Sequence, residues 1–150
     1  MKIRKLLTGE KAPIELLLLA DPSISSIEEY LEKGECYVGE SNSGIVGVYV
    51  LLAKTQEIVE LMNIAVNEDF QGCGIGKLLV LDAIQTAKKG NFKKIEVGTG
   101  NSSIGPLTLY QKCGFRMVGI DRDFFTKNYR EAIYENGIQC RDMIRLSLQI

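Results

Sequence analysis

The chain has 150 residues, 45% hydrophobic and 25% charged, a balance that fits one globular domain and excludes a disordered, collagenous or membrane-spanning chain. Eighteen Lys and Arg against nineteen Asp and Glu leave a net charge of -1, so no global field attracts a phosphate backbone and no nucleic acid is expected as partner. The absence of histidine excludes Ser-His-Asp and Cys-His mechanisms within the chain and removes the commonest ligand of catalytic zinc, copper and iron, so no metal is expected.

In chain order, Lys2 to Leu7 reads as a short strand, and Ala12 to Ala20, with Pro13 near its start, as a helix stopped by Asp21-Pro22. The basic opening is interrupted by Glu10, Lys11 and Glu15, so it does not read as a signal peptide, and no segment approaches the ~18 apolar residues of a membrane span. A second helix follows, with Ser23 or Ser25 as cap, Ile27, Tyr30 and Leu31 as apolar face and Gly34 as stop. Cys36 to Gly39 and Gly44 to Leu52 read as strands joined by Ser41-Asn42-Ser43-Gly44, and Glu57 to Val66 as the next strand.

From Gln71 glycines recur at 72, 74 and 76 and lead into a helix, Leu78 to Lys89, apolar over most of its circumference and read as well buried. Lys93 to Val97 is a strand, Gly98 to Ser103 a polar loop, and a helix is expected from near Pro106 to Gly114. Phe115 to Ile120 and Gln139 to Gln149 read as strands, while 121–137 carries no clear pattern. Cys36, Cys73, Cys113 and Cys140 contain no CxxC pair, which points to a reducing, cytoplasmic setting, and Cys73 and Cys113 read as small, packed, inert thiols.

Gln71-Gly72-Cys73-Gly74-Ile75-Gly76-Lys77 can cradle an anion with its amides and the positive end of the following helix, or can simply let the chain enter a tightly packed helix. A Walker loop fails, because Lys77 is followed by Leu78 and not Ser or Thr. A dinucleotide turn fits poorly: although Glu96 lies about 20 residues on, Lys77 stands where its third glycine belongs, and Asn67 to Phe70 separate the loop from the strand.

A strand ending Met62-Asn63-Ile64-Ala65-Val66, then Gln71-x-x-Gly74-x-Gly76, a helix, a strand and Tyr110-x-x-x-Gly114-Phe115 together resemble the GCN5-related N-acetyltransferases (GNAT), most closely over 36–120. The resemblance implies a single α/β (α+β) domain, a central mostly antiparallel mixed sheet with splayed middle strands flanked by helices. It implies acetyl-CoA as cosubstrate, its pyrophosphate on the glycine loop and its pantetheine on the backbone of Ile64, Ala65 and Val66. Beyond residue 120, Phe124-Phe125, Tyr129, Glu135-Asn136-Gly137-Ile138 and Asp142-Met143-Ile144 resemble a little-characterised bacterial branch described as aminoglycoside-acetyltransferase-like.

The implied chemistry is direct attack of a primary amine, of a small molecule or peptide, on the thioester. That needs a base, oxyanion donors and an acid for the thiolate. The resemblance puts Glu60 at the position of the base, with Glu57 as substitute, and Tyr110 at the position of the acid; backbone amides near Ala65 are the oxyanion donors. Where the family carries Asn on the CoA arm this chain has Ser103, so Ser103 or Asn101 takes that contact. Asp121, Asp123, Glu131, Glu135 and Asp142 are candidates for an amine-binding surface. Phe124, Phe125 and Tyr129 remain open as core, homodimer contacts or substrate walls. A non-catalytic acyl-CoA-binding or sensor protein is the alternative reading.

Overall fold

Ile27 and Tyr30 stand three residues apart on one face of a helix, and with Leu17 of the helix before it they seat two short helices on a sheet. In the computed structural model, which describes residues 1–150, strand β1 (Lys2–Lys5) is followed by helices α1 (Ile14–Ala20) and α2 (Ile24–Lys33). Ser23 caps α2, accepting from the Ser26 N–H at 3.2 Å. The helix stops at Gly34 for a reason of space: a Cβ there would stand 2.5 Å from the Leu51 carbonyl oxygen and 2.7 Å from that of Tyr30.

Strands β2 (Glu35–Ser41), β3 (Gly44–Ala53) and β4 (Ile58–Val66) form an antiparallel meander. Helix α3 (Ile75–Lys89) then crosses to β5 (Lys94–Gly100), which lies parallel to β4. Helix α4 (Ile104–Lys112), β6 (Arg116–Asp121), α5 (Phe124–Asn128), a small hairpin of β7 (Ile133–Glu135) and β8 (Ile138–Cys140), and β9 (Met143–Gln149) complete the chain. The main sheet runs β1-β2-β3-β4-β5-β9-β6, with β4–β5 its single parallel pair. Leu79, Val80 and Ala83 of α3 and Tyr110 of α4 pack one face, and Leu17, Ile27 and Tyr30 pack the other. No helix is long and apolar enough to cross a membrane.

Strand β4 positions the site. Val50 pairs with Asn63 but Leu51 pairs with Leu61, so Met62 is an extra residue, a bulge that turns the strand. Just beyond, the middle strands part. The β4–β5 register ends at Leu61–Val97, and Gly98 to Gly100 pair with Arg145, Ile144 and Met143 of β9 alone.

The structure departs from the sequence reading in four places, two of them set by contacts distant in sequence. Gly98 to Gly100 continue β5 because β9 supplies a partner. Helix α4 starts at Ile104, which puts Pro106 inside its first turn. Leu78 and Leu81 of α3 are 52% and 41% exposed, so this helix buries one face only. The expected final strand is broken at Arg141-Asp142, whose N–H groups donate to Asn101 Oδ1 at 2.8 and 3.0 Å.

Candidate active site

Where β4 and β5 part, a cleft of about 550 Å³ opens. Its β4 wall is an unpaired backbone edge. Asn67 N–H donates to the Val46 carbonyl at 2.8 Å, and antiparallel alternation therefore turns the N–H and C=O of Ala65 toward β3 and those of Ile64 and Val66 into the cleft. The Val66 carbonyl accepts from Gln71 Nε2 at 3.0 Å, which ties the glycine loop to the strand. Ile64 and Val66 thus turn their N–H groups, and Ile64 its carbonyl, into the cleft. Ala65 does not: its backbone belongs to the ladder with β3 and its side chain to the core under α1 and α2, so amide donors fall to its two neighbours.

After Val66 a short 3-10 turn, Glu68–Phe70, held by Asn67 Oδ1, leads into the loop. Gly72 and Gly74 have φ of 79° and 84°, left-handed angles that glycine adopts without strain. No side chain caps α3, and its first helical bond is made by the Leu78 N–H to Gly74, leaving the Ile75, Gly76 and Lys77 N–H groups unpaired at the positive end of the helix. A Cβ at Gly72 or Gly74 would meet nothing within 4 Å, so the space over the loop is open to an anion. Gln71, Gly72, Ile75 and Gly76 line the cleft. Cys73 is exposed, contrary to the packed thiol expected from the sequence, while Cys36 and Cys140 are buried.

Tyr110 reaches the cleft from α4 and is 4% exposed. The only enclosed side-chain polar atom without a partner is Asn63 Oδ1, so the Tyr110 hydroxyl, which no protein group binds, opens on the cleft. Burial, with the nearby Cys113 adding to it, pushes the phenol up, so it stays a proton donor throughout the neutral range. Glu60 stands one residue before the last β4–β5 pair, outside the cleft lining; its carboxylate is 3.3 Å from Lys54 Nζ and 3.7 Å from Arg145 Nη1. Glu57 is exposed before β4 begins, at the end away from the parting.

Asn101 does not line the cleft. Its Oδ1 holds two amides of the β8–β9 link and its Nδ2 donates to the Gln139 carbonyl at 3.1 Å. Ser103 lines the cleft instead, its hydroxyl donating to Glu135 Oε1 at 2.9 Å. Of the five late carboxylates, Glu135 alone lines the cleft; Asp121 is held by Arg145 at 2.7 Å and Asp142 accepts the Asp123 N–H at 2.8 Å. Phe125 and Tyr129 are cleft walls. The sequence reading missed Asp21 and Asn63. In the sequence Asp21 is a helix stop and Asn63 part of a strand motif, and nothing local shows that Asp21 receives the Tyr129 hydroxyl at 2.9 Å from 108 residues away.

Residues 32–117 match the family model described as the acetyltransferase (GNAT) domain. The chain is 59% identical over 136 residues to the uncharacterised N-acetyltransferase YvbK of Bacillus subtilis (strain 168), covering 91% of this chain and 88% of that protein. Among solved structures, a GNAT family acetyltransferase from Elizabethkingia anophelis with acetyl-CoA bound superposes with a TM-score of 0.97 at 49% identity, covering 99% of this chain and 97% of that one. A Bacillus subtilis acetyltransferase in complex with CoA gives 0.91 at 56% identity, over 99% and 98% of the two chains.

Proposed function

The chain belongs to the GNAT family of acetyltransferases, and we propose that it carries an acetyl group from acetyl-CoA to the primary amine of a small molecule or peptide by direct attack, both partners bound together. The observation that carries this reading is the parting of β4 from β5, which leaves Ile64 and Val66 amides beside an uncapped helix start and a tyrosine hydroxyl that opens on the cleft. Four unbridged cysteines support a cytoplasmic setting.

Acetyl-CoA supplies a thioester whose carbonyl carbon accepts the amine. The loop amides from Gly72 to Lys77 suit the pyrophosphate, and the open edge at Ile64 and Val66 suits the amides of the pantetheine arm, with the Ser103 hydroxyl on the facing wall. The Ile64 or Val66 N–H stabilises negative charge on the carbonyl oxygen. As the C–N bond forms and the C–S bond breaks, Tyr110 gives its proton to the sulfur, and the proton lost by nitrogen passes through water to Glu60. An alkylamine with an ordinary pKa near 10.4 is only about one part in 2,500 neutral at pH 7, so that proton acceptor matters.

Thiol release from acetyl-CoA, followed with a panel of primary amines and mass spectrometry of the product, tests the reading. CoA bound tightly with no turnover on any amine overturns it in favour of a sensor. Glu60→Gln lowers kcat/KM chiefly for strongly basic amines and flattens the acidic limb of the pH profile, while an aromatic amine, already neutral at pH 7, loses much less. Equal losses for both acceptor types remove Glu60 from the proton path.

A further inference from the structure

Resting on the reading of the cleft as an acetyl-CoA site, we propose that Glu135 is a positioning residue: it takes the one proton of the Ser103 hydroxyl and so fixes Ser103 as an acceptor for an amide N–H of the pantetheine arm. Ser103 is 8% exposed, lines the cleft and stands at the N-cap of α4, where a serine ordinarily turns its oxygen onto the first amides of its own helix. Here it does not. The Ser103 hydroxyl leaves α4 uncapped and donates to Glu135 Oε1 at 2.9 Å, a residue 32 positions on. Pro106, the third residue of the helix, has no N–H, so the amide this serine gives up is that of Gly105, another cleft residue.

The chemistry follows from counting protons. A serine hydroxyl has one proton and two lone pairs, and a carboxylate only accepts, so with Glu135 as its partner Ser103 offers lone pairs alone to whatever enters the cleft. An N–H is accepted there and a carbonyl is refused. The bond to a carboxylate is also charge-assisted, which polarises the hydroxyl and makes its oxygen the better acceptor.

The surroundings are built to hold this arrangement. Glu135 sits at the tip of the β7–β8 hairpin, whose turn residues Asn136 and Gly137 have φ of 54° and 74°. That hairpin forms no ladder with the main sheet and is fastened to the loop before α4: Asn136 Nδ2 donates to the Ser102 carbonyl at 2.9 Å, and the Ser102 hydroxyl donates to the same Glu135 oxygen at 3.3 Å. Ser102 is fully buried, so it anchors the carboxylate from inside while Ser103 lines the cleft. Gly100 leaves the room, since a Cβ there would stand 2.5 Å from Cys140 Sγ and 3.2 Å from Ser103 Oγ.

The test is titration calorimetry with CoA, which reads the contact without any acetyl transfer. Ser103→Ala and Glu135→Ala each weaken CoA binding about two- to tenfold, the usual worth of one hydrogen bond, and the two together weaken it no more than either alone. Glu135→Gln loses less, because its amide oxygen accepts the same proton. Asn136→Gly is the control: glycine keeps the left-handed turn, the bond to the Ser102 carbonyl is lost, and CoA affinity stays as in wild type. Unchanged affinity in Glu135→Ala, equal losses in Glu135→Gln and Glu135→Ala, additive losses in the double variant, or a loss in Asn136→Gly that matches Glu135→Ala each overturns the inference. Glu135 is exposed, so its variants decide even where Ser103→Ala does not fold. Failure of the wider reading looks different. Wild type that binds no CoA removes both, tight CoA binding with no thiol released on any amine leaves the contact standing without the transfer, and thiol release with CoA affinity indifferent to Glu135→Ala leaves the transfer standing without the contact.

Discussion

The two sides of the cleft are made of different material. The side that suits the cosubstrate is mostly backbone: the Ile64 and Val66 edge, two left-handed glycines and the first amides of α3. Elsewhere the cleft is lined by side chains, among them Asp21, Asn63, Tyr129 and Glu135, gathered from three distant stretches. Backbone recognition constrains only where glycines and strand ends fall, so it leaves a pattern in the sequence. Side-chain recognition carries no such local requirement, so it leaves less of a pattern.

Tyr110 is the sharpest exception on the cosubstrate side, a side chain whose hydroxyl and not its bulk is at issue. Tyr110→Phe keeps the packing against Phe115, whose ring centroid lies 5.8 Å away, and removes the proton donor. Turnover falls by ~10²–10⁴ with CoA affinity unchanged, the usual worth of general-acid catalysis. Rapid-quench measurement of the chemical step checks it. An unchanged chemical rate returns the residue to the core.

A smaller effect tests the backbone claim directly. Gly74→Ala has room for its methyl but must hold φ near 84°, which costs an L-residue about 1–2 kcal/mol. CoA binding weakens by about tenfold as the loop relaxes away from that angle. Cys73→Ser, one residue earlier and exposed, leaves binding unchanged. Equal weakening by both variants, measured by calorimetry on folded protein, breaks the distinction between the two sides.

The same distinction explains what the sequence discloses. Gln71, Gly74, Gly76 and Tyr110 are legible because each meets a local requirement of the loop or helix that carries it. A mostly antiparallel sheet with splayed middle strands follows from the family resemblance those residues carry, while the strand order and the parting at Leu61–Val97 come from the structure. The end of β5 is not legible, since Gly98 to Gly100 become strand only through β9, more than forty residues later. Asn101 misleads for a related reason: its amide looks available in the sequence but is engaged by the backbone of 139–142. Asp21 and Asn63 acquire their roles only when Tyr30 and Tyr129 arrive, contacts with no local pattern.

The smallest effect concerns neither side and serves as a control on both. Arg4 grips Glu10 with two nitrogens at 2.8 Å each and Glu40 with a third at 2.7 Å, fastening the outer strand β1 to β2. The Arg4 guanidinium, with a hydrogen bond from the Leu7 N–H, lowers the Glu10 carboxyl to about 2. A carboxyl lowered on folding contributes stability that is complete above its unfolded value near 4.5 and is lost as pH falls toward the folded value. Glu10→Gln removes that contribution, so urea midpoints of variant and wild type differ at pH 6 and converge as pH falls through this window, by little in all because the pair stays in reach of solvent. CoA and amine binding at neutral pH stay as in wild type. A midpoint gap that is the same at both ends of the window shows that Glu10 acts through packing and not through its charge, and a change in CoA or amine affinity shows that the β1 edge is coupled to the cleft.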